Sequence, residues 1–203
     1  LAPDGSEVRV TLPQWGRTAD ALDFAQSRSA WLESQLARIP AAAPPAPEGT
    51  LAYCGETLRI AWSPALPRKP RVADGALLIG GPETGLPARL RRWLEQEALA
   101  LMGADLAFYC ARAGVDPPLL RLSRAQRRWG SCAGDGTIRL NWRLVQAPAE
   151  VRRSVVAHEV AHLVHFDHSP AFHALLADLF EGDLPAANRW LHRDGRGLYA
   201  AFG

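Results

Sequence analysis

The feature that most constrains this chain is a helical segment near its carboxyl end that is apolar on nearly every side. Residues 155–164 have the sequence VVAHEVAHLV, in which only two histidines and one glutamate interrupt the apolar residues. A helix that is apolar all round is normally buried in a core, and a buried carboxylate beside two imidazoles needs polar partners or a metal ion. We therefore expect this helix to lie inside the fold and to hold a metal ion.

The polar residues of the segment form an H-E-x-x-H motif, with His158, Glu159 and His162 at its defined positions. Residues four apart on a helix lie on the same face, so both imidazoles can bind one ion between them. Glu159 can reach a water molecule on that ion without binding the metal itself. The motif predicts a Zn²⁺-dependent hydrolase in which His158 and His162 are ligands and Glu159 is the general base.

A catalytic zinc site uses three protein ligands and keeps one position open. His165 lies too far along a continuous helix to bind the same ion. His168 follows His162 by six residues, the spacing of the pattern H-E-x-x-H-x-x-G-x-x-H, although His165 stands in place of the glycine and would have to tolerate a left-handed backbone. Glu181 is the alternative third ligand, and we favour His168 because Glu181 lies at the frayed end of the next predicted helix.

Length and composition bound the class of protein. With 203 residues, of which 48% are apolar, the chain can bury a core without a structural metal. Cys54, Cys110 and Cys132 are odd in number and widely spaced, which predicts no disulfide framework and favours a reducing, cytoplasmic location. No apolar run is long enough to predict a membrane span. The sequence does not indicate an oligomeric state.

The formal charge of +2 is too balanced to indicate nucleic-acid binding by itself. Eight arginines lie between Arg121 and Arg153, with only Asp135 and Glu150 as acidic residues. Such a run usually forms a solvated face. Binding to nucleic acid is therefore only weakly supported.

Periodicity and turn signals predict an α+β fold. Residues 1–84 are expected to form a strand-rich amino-terminal layer with one helix and a proline-rich linker, and residues 85–203 the catalytic region. The predicted strands of the first part are Glu7–Leu12, two strands within Leu51–Trp62 that turn at Gly55-Glu56, and Ala76–Ile79, and its helix is Thr18–Ile39. In the second part we predict strands at Leu119–Arg124 and Thr137–Leu144, and helices at Leu86–Ala113, from Pro148 to Val164, and from Ser169 to about Gly182.

Four segments carry a resemblance to a known family. They are Arg128–Cys132 (RWGSC), Ile138–Leu144 (IRLNWRL), the H-E-x-x-H motif, and His168–Phe172 (HSPAF). Together they resemble the YgjP-like metallopeptidases, relatives of the SprT and WLM zinc-protease groups, closely over about residues 121–191 and more loosely in the amino half.

The resemblance implies a zincin-like core in which the active-site helix packs under a small mixed sheet. It also implies that His158, His162 and His168 bind zinc, and that the substrate is a peptide or protein. His173 departs from the bulky aromatic residue that is usual in the family after Phe172. We further expect the strand from Thr137 to Arg143 to pair with an extended substrate.

Two alternatives to a peptidase stay open at this stage. The same metal could serve a phosphohydrolase, with the arginines between Arg121 and Arg153 binding a nucleotide. In the second alternative, Cys132 would complete a closed Cys-His₃ zinc site in a non-catalytic module that binds DNA or a partner protein. Arg128 and Asn141 are candidate groups for stabilising an oxyanion in the peptidase.

Overall fold

The computed structural model describes Gly5 and residues 7–37 and 43–202. Within these residues the chain forms six α-helices and two small mixed sheets, which confirms the α+β class. The helices are α1 (Thr18–Ser27), α2 (Ser29–Leu36), α3 (Leu86–Ala113), α4 (Ala149–Val164), α5 (Pro170–Leu179) and α6 (Leu184–Asp194). The strands are β1 (Thr50–Tyr53), β2 (Glu56–Trp62), β3 (Arg71–Ala73), β4 (Ala76–Ile79), β5 (Leu120–Ser123), β6 (Gly130–Cys132) and β7 (Ile138–Asn141).

The amino-terminal sheet has the strand order β1-β2-β4-β3. Strands β1 and β2 form the predicted hairpin, but the turn lies one residue earlier than predicted, at Cys54 and Gly55, whose φ angles are 51° and 85°. Two consecutive positive φ angles are typical of the type I′ turn that joins twisted antiparallel strands. Strand β4 then pairs in parallel with β2 and antiparallel with β3.

The second sheet has the order β5-β7-β6. Its central strand β7 is parallel to β5 and antiparallel to β6, with Ser131 opposite Arg139. Both edges of β7 are therefore occupied, and the expectation that this strand pairs with a substrate is wrong. Strands β5 and β6 are the edge strands of this sheet, and β6 packs against α4.

Helix α3 packs against α4 and against β5 of the second sheet. It ends at Gly114, whose φ of 68° is the left-handed conformation that glycine adopts without strain at a helix end. A single buried cluster includes Leu58 of β2, Leu90 of α3, Val160 of α4 and Phe172 of α5, so both halves of the chain share one core. Although α3 is long, no helix in the described part of the chain combines the length and apolar character needed to cross a membrane.

The amino-terminal segment differs from its prediction. Residues 7–12 form no strand, and the helix predicted to continue from Thr18 to Ile39 is interrupted at Arg28 to give α1 and α2. Ile39 lies outside the described residues. Neither helix has a buried residue.

Candidate metal centre

Helix α4 positions the first two histidines. Pro148 precedes its first residue, where a missing N–H costs no helical hydrogen bond, and the helix continues to Val164. His158 and His162 are one turn apart on the same face, and their Nε2 atoms are 3.2 Å from each other. The helix thus presents two imidazole nitrogens to one point.

The chain after α4 returns His168 to the same point. His165 ends the helix with φ −127° and ψ 106°, an extended backbone and not the left-handed turn expected at the glycine position. Helix α5 begins soon afterwards at Pro170, and the Ser169 hydroxyl accepts a hydrogen bond from the Phe172 amide. This short link places His168 Nε2 at 3.3 Å from His158 Nε2.

The three imidazoles converge closely enough to bind one metal ion. Their ligand atoms all lie within 4.8 Å of one another. Tetrahedral zinc with Zn–N bonds of about 2.0–2.1 Å requires nitrogens about 3.3–3.4 Å apart, and the Nε2 distances of 3.2 and 3.3 Å from His158 agree with that value. A donor set of three imidazoles suits Zn²⁺.

The protonation of the histidines also suits a metal. Burial, followed by the neighbouring His162, His168 and His173, lowers the pKa of His158 to about 4. This imidazole is therefore neutral at physiological pH, as metal binding requires. His162 Nδ1–H donates to the His165 carbonyl oxygen at 3.1 Å, which leaves the Nε2 lone pair free to bind.

The Phe172 ring packs against all three imidazole rings. Its side chain is fully buried, and its ring centroid lies 5.0, 4.5 and 4.8 Å from those of His158, His162 and His168. The edge and tilted arrangements are those that aromatic rings favour. Phe172 thus limits the rotation of each imidazole.

Glu159 lies between α4 and the edge strand β6, with only 5% of its surface exposed. Burial raises its pKa to about 7, opposed by the backbone N–H of Cys132, which donates to the carboxylate, and by the positive charge of Arg128. Gly130 makes this position available, because a Cβ on that residue would overlap the Glu159 carboxylate. The buried position of the Glu159 carboxylate therefore depends on the absence of a side chain at Gly130.

A cavity of about 430 Å³ opens beside His158 and Glu159. It lies among β6, α4, α5 and α6, and polar and apolar side chains contribute about equally to its walls. The apolar lining residues are Trp129, Val155, Phe172, Leu176 and Leu184, and the other side chains that line it are Ser154, His158, Glu159, His173 and Asn188.

Glu181, the alternative third ligand, lies in a different cluster. One of its carboxylate oxygens accepts a hydrogen bond from the Tyr109 hydroxyl at 3.0 Å, and the other forms an ion pair with Arg153. Both oxygens are thus engaged by α3 and α4, and Glu181 does not belong to the set of converging ligand atoms.

The other candidates have distinct positions. Asn141 is fully buried, where its amide donates to Ala125 O at 2.7 Å and its carbonyl oxygen accepts from Arg143 N, so it has a turn-stabilising role. The Cys132 thiol lies 3.7 Å from the Ala133 carbonyl oxygen and outside the ligand set. His173 lines the cavity, with its ring centroid 6.3 Å from that of His168.

The arginines between Arg121 and Arg153 do not form one free basic face. Arg124 pairs with Glu95 of α3, and Arg152 pairs with Asp105 of the same helix. Arg143 is buried, and its guanidinium stacks over Tyr199 and Trp142. Much of the local positive charge is therefore compensated or enclosed.

Comparison with known proteins gives the family. The family model described as the YgjP-like metallopeptidase domain matches residues 1–194. The chain belongs to this family. Its resemblance to these metallopeptidases, inferred from four short motifs, is thereby confirmed, and the chain carries a metallopeptidase domain.

Two further comparisons are less informative. No curated protein matches the chain. Among solved structures, the crystal structure of the metallopeptidase zymogen of Pyrococcus abyssi abylysin is similar over 49% of this chain and 90% of that chain, with 19% sequence identity and a TM-score of 0.36.

Two features of the site were missed by the sequence. Helix α6, which supplies Leu184 and Asn188 to the cavity, was not predicted, although Asp183 and Pro185 are typical of a helix start. The need for Gly130 was also missed. The available signal was its place in the RWGSC motif, which precedes the predicted strand Thr137–Leu144.

Proposed function

We propose that this chain is a zinc-dependent peptidase in which His158, His162 and His168 hold the metal and Glu159 is the general base. The observation that carries the proposal is the convergence of three imidazoles beside a buried carboxylate, with the Nε2 atoms of His162 and His168 at 3.2 and 3.3 Å from that of His158. Zinc bound by three imidazoles supplies a Lewis acid that polarises a carbonyl group and lowers the pKa of a bound water.

Glu159 supplies the proton transfers of peptide hydrolysis. Its carboxylate accepts a proton from the water molecule that attacks the peptide carbonyl carbon, and then gives that proton to the departing amine nitrogen. The C–O bond formed and the C–N bond broken leave a carboxylic acid and an amine. The backbone N–H of Cys132 holds the carboxylate in position for both transfers. The absence of a side chain at Gly130 leaves the space that the carboxylate occupies.

The open edge of β6 is the surface that we assign to the substrate backbone. Trp129 O accepts from Asn141 N at 2.7 Å, and Ala133 N donates to Thr137 O at 3.0 Å. In an antiparallel ladder this alternation directs the backbone groups of Gly130 and Cys132 away from β7. Because the Cys132 N–H donates to Glu159, the groups that we assign to the substrate are the Gly130 N–H and the carbonyl oxygens of Gly130 and Cys132. An extended peptide can therefore pair beside Glu159, using contacts that do not depend on its sequence.

The cavity beside Glu159 receives a substrate side chain next to the scissile bond. The apolar part of its walls is formed by the aromatic rings of Trp129 and Phe172 and the aliphatic chains of Val155, Leu176 and Leu184. Burial of apolar surface favours a large apolar side chain there. We therefore expect the enzyme to prefer bulky apolar residues at one position flanking the cleavage site.

The deciding experiment compares Glu159→Gln with the control Glu181→Gln. We expect Glu159→Gln to keep one zinc per chain and to lose about a thousandfold in kcat, as loss of a general base predicts. Glu181→Gln should keep both zinc and activity, because its carboxylate contacts Tyr109 and Arg153 instead. Retained turnover in Glu159→Gln would remove this residue from the mechanism, and zinc loss in Glu181→Gln would make that residue a ligand.

Assays on one zinc-loaded preparation distinguish the reaction classes. We expect cleavage of casein, and no hydrolysis across a panel of nucleoside triphosphates. Phosphate release without peptide cleavage would support the phosphohydrolase alternative. A zinc-loaded chain that cleaves neither substrate class would support the non-catalytic module.

A further inference from the structure

A second cavity lies beside the first turns of α3, where the segment before β3 approaches the helix. Its volume is about 570 Å³, and it shares no lining residue with the cavity beside Glu159. Four cationic side chains line it, namely Arg68, Lys69, Arg89 and Arg92. Pro70, Pro82 and Trp93 add apolar surface.

The positive charge of this cationic cleft is not compensated by ion pairs. Within residues 7–37 and 43–202, none of its four cations has a carboxylate oxygen within 4.0 Å. By contrast, Arg91 of the same helix lies 3.1 Å from Glu95. Glu83 lines an adjoining cavity with Arg68 but forms no ion pair with it in the described structure.

Arg89 is fixed in place at the cleft. Its Nη2 donates to the Pro82 carbonyl oxygen at 2.7 Å, and a Cβ on Gly85 would come within 2.8 Å of Nη1. Its buried Nε has no hydrogen-bond partner among the described residues. Arg92 follows three residues later on the helix and is therefore its neighbour on the same face.

We propose that the cationic cleft binds an oligophosphate, a compact ligand with several linked phosphate groups. Four cations around one cavity provide charge for several negative groups, and arginine donors match phosphate oxygens in pairs. The volume is within the range of small-molecule sites, about 300–1,000 Å³. A nucleic-acid duplex instead spreads its charges along an extended path, with one phosphate per strand for about every 3.4 Å of the duplex axis.

The test is calorimetric titration of the full-length, zinc-loaded chain with inorganic triphosphate at physiological salt. We expect saturable binding of one triphosphate per chain. The variant Arg68→Gln/Arg92→Gln removes two exposed cleft cations and should weaken binding at least tenfold. The control Arg121→Gln/Arg127→Gln removes two exposed arginines elsewhere and should weaken it less than twofold. Unfolding midpoints of both variants, measured in urea, verify that each remains folded.

Two results would overturn the proposal. Equal triphosphate binding by the wild type and Arg68→Gln/Arg92→Gln would place the ligand elsewhere, for example on the zinc ion. Binding of a single-stranded oligonucleotide without binding of triphosphate would make the cleft part of an extended polyanion surface. Competition between adenosine triphosphate and triphosphate for the same site, with the same loss in the cleft variant, would support it and identify a nucleotide as one source of the phosphates.

Discussion

Helix α4 and the pair α1–α2 both carry many apolar residues, but their environments are opposite. Most residues of α4 are buried, and the helix packs against α3, α5, α6 and β6. In α1 and α2 no residue is buried, and the side chains of Leu22 and Trp31 are 60% and 54% exposed. Apolar content alone therefore does not determine burial. The residues assigned to chemistry lie on the helix whose neighbours fix its position.

This contrast predicts where substitutions will be costly. Around α4, a changed side chain meets a packed core that cannot easily relax. On α1 and α2, the same change meets solvent. The three variants below test the contrast at positions of decreasing expected effect.

Phe172→Ala should have the largest effect. Removal of a fully buried phenylalanine side chain leaves a cavity and is expected to lower the free energy of unfolding by about 3–5 kcal/mol. The rings of all three histidines would also lose their support, so zinc affinity should fall. Urea denaturation and zinc titration measure the two effects.

Phe166→Ala is the matched control, since Phe166 lies in the nearby link and is 60% exposed. Its unfolding free energy should change by no more than about 0.5 kcal/mol. Equal losses in the two phenylalanine variants would show that burial does not distinguish these positions.

Gly130→Ala should have an intermediate effect that is confined to activity. The new Cβ would overlap the Glu159 carboxylate and displace it, and such a displacement can lower kcat by up to about a hundredfold. Zinc content should not change, because the three heavy atoms nearest to the new Cβ all belong to Glu159 and none to a histidine. Gly134→Ala is the control, since a Cβ there meets nothing within 4 Å. If Gly130→Ala kept wild-type kcat, Gly130 would not be a positioning residue for the carboxylate.

Trp31→Ala should have the smallest effect. The side chain is half exposed and α2 contains no buried residue, so the unfolding free energy should change by no more than about 0.5 kcal/mol. Thermal and urea denaturation provide the measurement. A loss as large as that of Phe172→Ala would place α2 within the cooperative core and remove the contrast between the two regions.

The sequence predicted α3 and α4 well because their ends carry local signals. Gly114 ends α3 where the prediction placed it, and Pro148 precedes α4. The β1–β2 hairpin was likewise predicted from its glycine-containing turn. The ends of these elements are determined by the backbone conformations that single glycine and proline residues allow, and those residues can be read from the sequence.

The remaining features depend on contacts between distant segments. Strands β3 and β6 have only three residues each, too few for a periodic pattern, and pairing with β4 and β7 defines them. The contacts of Glu181 with Tyr109 and Arg153 connect the segment after α5 to α3 and α4, and no local sequence pattern predicts them. Similarly, spacing suggested that His168 could lie beside the other two histidines, but only the fold shows that a link beginning with an extended His165 brings its Nε2 to 3.3 Å from that of His158.

X-ray absorption at the zinc edge tests the central claim most directly. In the zinc-loaded wild type we predict three imidazole nitrogens at about 2.0–2.1 Å and no sulfur ligand. His168→Ala should lose one imidazole from this shell and lose more than about a hundredfold in zinc affinity, whereas His173→Ala should keep all three. A sulfur ligand at about 2.3 Å, or an unchanged shell in His168→Ala, would contradict the proposed three-histidine site.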